Sequence, residues 1–166
     1  MARTRSVLAV LATLLVAGSG LSSSASGQAV GAGVDADITG DWTLQTKAFF
    51  DLCRITGEMT LRPTEEPDVY EGELYAHQRC GNGYVGYVEW RADQLVRAVR
   101  EGDWLSITST LVRVEPPSTT YAPDDFELQI VDSTLMMGEL RSYLSDSDMP
   151  IGVVEAAFQR GDAPVS

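Results

Sequence analysis

The chain has one histidine, two cysteines and half as many basic residues as acidic ones, 12 against 24 among 166. Each shortage closes off a class of function. Around a lone imidazole, His77, no Ser-His-Asp set can be assembled convincingly. Two cysteines and one histidine leave a structural zinc site short of a ligand at suitable spacing, so no metal and no cofactor is expected. A net charge of −12 repels nucleic acid and anionic lipid surfaces, and nucleic-acid binding is not expected on that ground. There is no nucleophile elbow, no phosphate loop and no metal-ligand cluster. No internal repeat and no second domain break up the chain.

What is present begins with an export signal. Arg3 and Arg5 precede an apolar run, Val7–Ala17, and small residues follow from Gly18 to Ala29. A basic start, a short apolar core and a small-residue exit make a secretory signal peptide. The run is 11 residues long, too short for a bilayer that needs about 20, so no stable membrane anchor is expected. Cleavage fits after Ala29, with Gly27 at minus three, and after Ala25. Without residues 1–29 the charge deepens from −12 to −14, because Arg3 and Arg5 leave and no acid does. The remainder is enough for one domain with a core. The protein is therefore expected to be exported, to the periplasm or outside, with residues 30–37 as a flexible lead-in, a domain over 38–160 and a frayed tail over 161–166. In an oxidising compartment Cys53 and Cys80 imply one disulfide.

Between residues 38 and 160 apolar and polar residues alternate, with breaks carrying Gly, Pro, Asp and Asn. If Cys53 and Cys80 face each other across an antiparallel hairpin, Ile55 meets Gln78, Gly57 meets Ala76, Met59 meets Leu74 and Leu61 meets Gly72. That inward set is mostly small or apolar. The outward pairs are Arg62–Glu71, Thr60–Glu73, Glu58–Tyr75 and Thr56–His77. A slip by one would put charges on the core face, so the disulfide and the hydrophobic pattern agree. "PTEEPD" supplies the turn. A tight turn at "GNG", 81–83, with Cys80 opposite Tyr84, then predicts Ala76–Val88, Leu74–Trp90 and Gly72–Ala92 pairs.

Residues 84–100 fit a long strand with an apolar even-numbered face, or a helix with Val88, Ala92, Leu95, Val96 and Val99 in a stripe. The helix leaves Trp90 beside Gln94 and Arg97 on the wet face, so the strand is favoured. A turn at "REGD" then sets Ala98 opposite Leu105 and Val96 opposite Ile107. Eight strands result, at about 41–48, 52–62, 69–80, 84–100, 104–114, 125–131, 135–144 and 152–160. An all-β, eight-stranded antiparallel up-and-down barrel is the predicted fold, since closure removes sticky edges. An open sandwich is the alternative.

In such a barrel the first strand lies beside the last. Trp42 and Arg160 then meet on the inward face, where a guanidinium over an indole is a good cation–π partner. Gly40 lets the entering backbone bend beneath the barrel end. Gly40-x-Trp42 with an arginine on the final strand resembles the signature of the calycin superfamily, which includes lipocalins, avidins and small bacterial metalloprotease inhibitors. In outline the chain is most similar to the inhibitors: export, an early Gly-x-Trp, and two cysteines in one small barrel. The cysteine spacing is wider and the mature chain longer than the resemblance implies. Those inhibitors act through the segment before the barrel, here "VGAGVDAD", which carries no zinc-directed feature.

Chemistry is sparse. His77 is expected at the surface. "DSD" at 146–148 and "PDD" at 123–125 hold oxygens that calcium uses, though acidic loops are far commoner than calcium sites. A glycosidase-style carboxylate pair is conceivable in so acidic a chain, but the inward faces carry almost no carboxylate. The interior is the better place to look. Met59, Tyr70, Leu74, Trp90, Leu111, Phe126, Met136 and Phe158 are expected to point inward, and they either fill the barrel solidly or line a small cavity. Of these, Met59, Tyr70, Leu74, Trp90, Phe126 and Met136 are the candidate ligand contacts; Gly40, Trp42 and Arg160 are the barrel-end residues. The expected function is a non-catalytic binding module for a small apolar molecule in the lumen. The alternative is a barrel that binds an exported protein, such as a periplasmic protease inhibitor, through its N-terminal segment or loops 81–83 and 115–125. An enzyme is the third and weakest option.

Overall fold

Two-residue alternation builds every element. A computed structural model describes residues 35–49, 52–82, 86–119, 121–143 and 150–161. The strands are β1 (Gly40–Thr46), β2 (Cys53–Pro63), β3 (Val69–Asn82), β4 (Gly86–Glu101), β5 (Trp104–Glu115), β6 (Asp124–Ile130), β7 (Leu135–Tyr143) and β8 (Pro150–Gln159). Each strand pairs antiparallel with the next, and β1 pairs with β8, Leu44 opposite Phe158. The sheet is thus a closed eight-stranded barrel, consistent with a calycin-like architecture, and not a sandwich. Residues 86–101 are extended throughout, which removes the helical alternative. The signal peptide, the "DSD" loop and the C-terminal tail after Gly161 lie outside the described residues.

The first hairpin has the register that the cysteines imply. Cys53 is opposite Cys80 and bonded to it, with Ile55–Gln78, Met59–Leu74 and Leu61–Gly72 following. The next two hairpins depart from expectation by even numbers of residues. Cys80 faces Val88, not Tyr84, and Ala76, Leu74 and Gly72 face Ala92, Gln94 and Val96. The tip lies farther out, because Asn82 still pairs with Gly86. Ala98 faces Ile107, not Leu105, because the β4–β5 turn closes on Gly102 and Asp103 alone. Gly102 has φ of 64°, which suits the first position of a two-residue hairpin. An even slip moves no side chain to the other face, so alternation cannot detect it. A register shift between Asp93 and Gln94 makes room for Val112 on β5.

The inward faces interlock. Leu44, Met59, Leu74, Phe126, Met136 and Phe158 are each at most 1% exposed, so no water-sized space adjoins them. Phe126 and Phe158 meet edge to face with centroids 5.0 Å apart.

One barrel end is sealed from below. Ile38 is fully buried and Ala36 nearly so. Trp42 Nε1 donates to the Ile38 carbonyl at 2.9 Å. Arg160 Nη2 donates to the carbonyls of Asp37 and Thr39 at 2.9 and 2.6 Å, and Arg100 Nη1 donates to that of Ala36 at 2.8 Å. The Arg160 guanidinium lies 4.6 Å from the Trp42 ring, and its buried Nε has no hydrogen-bond acceptor. Its charge is held by the indole face instead. Ala36 and Asp37, expected in a flexible lead-in, are each bonded to the barrel by an arginine, Ala36 by Arg100 and Asp37 by Arg160. Gly40 has φ of 103° with open space where a Cβ would stand, so the glycine answers a backbone conformation, not crowding.

Candidate functional site: the barrel mouth

The opposite end is built differently. The connections 47–52, 83–85, 116–123 and 144–149 all join strands there. Above the packed interior, the inward rows continue through Gln78, Trp90, Leu111 and Val114, each only half-buried. Their neighbours below, Ile55, Ala76 and Ala92, are completely buried. Among the described residues, half-buried aromatic and aliphatic side chains thus continue the inward rows beyond the fully buried core. At the rim Tyr87 and Val88 are exposed, and the Arg79 guanidinium stacks 3.8 Å from the Tyr87 ring.

At this end the seam between β5 and β6 is held by side chains. Backbone pairing of β5 with β6 stops at Ile107–Phe126. Beyond it, the Ser109 amide donates to Asp125 Oδ1 at 2.8 Å, and the Ser109 hydroxyl donates to the Asp124 carbonyl at 2.5 Å. Gln94 reaches across from β4: its Nε2 donates to Asp124 Oδ2 at 2.6 Å, while its Oε1 accepts from the Asp124 amide at 2.9 Å. The Tyr121 hydroxyl donates to the same Oδ2 at 2.9 Å. A carboxylate and a primary amide thus stand in for the missing ladder, satisfying polar groups that burial would otherwise penalise.

The electrostatics follow from burial. Asp124 is 1% exposed. Burial pushes its carboxyl up to about 6, against the pull of the Gln94 and Tyr121 donors and with a further push from Asp125. The Tyr121 hydroxyl is raised by burial first, then by the Asp124 charge and their hydrogen bond. Asp125 is raised by partial burial, opposed by the Ser109 amide. Asp124 is closed off from solvent and ties the start of β6 to β4 through Gln94.

The candidate residues fall into separate places. Met59, Leu74, Phe126 and Met136 belong to the solid core, and Tyr70 packs partly buried against that core at the sealed end. Trp90 alone of the six reaches the mouth, half-buried opposite Gln78. His77 pairs with Thr56 and places Nε2 3.4 Å from Glu89 Oε2. "PDD" does not form an open calcium loop, since Asp124 points inward and is consumed by Gln94 and Tyr121. Among the described residues no group of three or more His, Cys, Asp or Glu side chains is placed to hold a metal ion. No helix among them is long and apolar enough to cross a membrane.

The inward carboxylate is the feature that sequence reasoning missed. The strand was expected to start at 125, and alternation from Phe126, Leu128 and Ile130 carried one step back reaches Asp124. Its partner was visible as the polar member of the even-numbered β4 row, Gln94. No protein-family model matches the chain, and no curated protein matches it significantly.

Proposed function

We propose that the chain is an exported, non-catalytic binding barrel that receives a small molecule with an apolar body at its mouth. The observation that carries this is the contrast in packing along one continuous inward face. Side chains from Trp42 to Phe158 leave no room below, whereas Trp90, Leu111 and Val114 stay half-open above. A ligand lying on them would cover apolar surface that the strands already hold in place, at little ordering cost. The resemblance to calycins supports the same use of a barrel mouth. Action as an inhibitor through the leading segment is less well supported, because Ala36–Thr39 are occupied in sealing the far end.

The test uses Nile red, an uncharged apolar dye. Titration should give saturable one-to-one binding with quenching of Trp90, and Trp90→Phe should remove the quenching while the dye still binds. Leu111→Glu, at the half-buried wall, should abolish binding with the far-ultraviolet spectrum intact. Binding that does not saturate, or that survives Leu111→Glu in a folded variant, would refute the assignment.

A further inference from the structure

The outer face of β5–β8 carries two adjacent rows of opposite chemistry. Strand pairing sets Trp104, Gln129, Met137 and Ala157 side by side. One step along the strands, Glu127, Glu139 and Glu155 stand directly opposite one another on β6, β7 and β8. Like charges in that position weaken a sheet. Relief is partial: the Ser106 hydroxyl donates to Glu127 at 2.8 Å, Arg141 lies 3.4 Å from Glu139, and Lys47 lies 2.6 Å from Glu155. Glu139 has a carboxylate on both sides. Between the rows runs a groove of about 480 Å³ whose lining includes Gly138 and Ala156 and, at one end, Arg141, paired with Glu139. Trp104 is 55% exposed beside it and Met137 47%. The core needs neither side chain.

We propose that this groove docks an extended segment of a partner polypeptide presenting a lysine or arginine next to an apolar side chain. The apolar side chain lies against Trp104 and Met137, desolvating surface that the fold leaves open. The cation sits opposite Glu139, where it neutralises the crowded row. Charge complementarity selects a basic segment over an acidic one, and the net charge of −12 reinforces the choice. The surface shares no residue with the mouth, so the two assignments stand or fall separately.

The experiment is a calorimetric titration of the full chain with two peptides of equal length, one alternating lysine with leucine and one alternating glutamate with leucine. Spermine and calcium chloride are titrated separately. The lysine peptide should bind one to one and the glutamate peptide should not. Glu139→Gln should weaken binding about fivefold and Trp104→Ala about tenfold, both in proteins with unchanged circular dichroism. Raising salt to about 0.5 M should weaken binding severalfold. The proposal is overturned if either variant binds as tightly as the parent or if the two peptides bind alike. It is also overturned if spermine or calcium binds as tightly as the lysine peptide regardless of Trp104, which would make the row a simple cation patch. Loss of peptide binding in Leu111→Glu with the groove intact would likewise overturn it, by moving the site to the mouth.

Discussion

Replacing Asp124 by asparagine keeps the size of the side chain and removes its titration. In the folded protein burial raises the Asp124 carboxyl from 3.8 to about 6. A folded pKa above the unfolded one means that the folded state holds the proton more tightly. Stability from this group is therefore gained as pH falls through about 6, is complete below about 3.8, and is lost as pH rises. With each pH unit of separation worth about 1.4 kcal/mol, the gap amounts to about 3 kcal/mol. Asp125 and Tyr121, the neighbouring titratable groups, are present in both proteins, so their own contributions largely cancel in the difference. Urea unfolding of parent and Asp124→Asn at a series of pH values between about 4 and 7.5 should show the parent gaining about 2.5 kcal/mol of this relative to the variant on acidification. In thermal melts that is about 10 °C for a domain of this size. A difference between parent and variant that stays flat across the series would refute the buried carboxyl and with it the bridge from Gln94 on β4 and Tyr121 to the start of β6.

The sealed end and the disulfide give further checks. Trp42→Ala removes an indole that is 2% exposed and bonded to Ile38, and should cost about 3–5 kcal/mol in chemical unfolding; a loss under about 1 kcal/mol would mean the indole closes nothing. Reduction of Cys53–Cys80, which are 27 residues apart, should cost about 3–4 kcal/mol in the chain-entropy model, read as a lower melting temperature in dithiothreitol.

How much was legible in the sequence depends on the range of the signal. The eight strands, their inward and outward faces and the Cys53–Cys80 register were readable, because alternation is a local property and a slip by one residue would bury charge. The pairing of β1 with β8 followed from closure of a meander, and Arg160 lies over Trp42 as that closure requires. The mouth was less legible. Asp124 sits one residue before the expected strand, and its importance comes from Gln94 on β4 and Tyr121 in a loop, which no local pattern connects.

The sequence by itself determined which side chains face inward wherever a strand runs without a bulge, since there the face depends only on parity; beyond the bulge at Val112 the structure decided it. Tertiary structure alone decided the even-numbered slips at β3–β4 and β4–β5, because such slips leave every face unchanged and are settled by where the turns close. It alone decided that Met59, Leu74, Phe126 and Met136 meet in one buried core cluster, since meeting depends on the distance across the barrel. And it alone brought Glu127, Glu139 and Glu155 into one row, each from a different strand, through the registers that pair β6, β7 and β8.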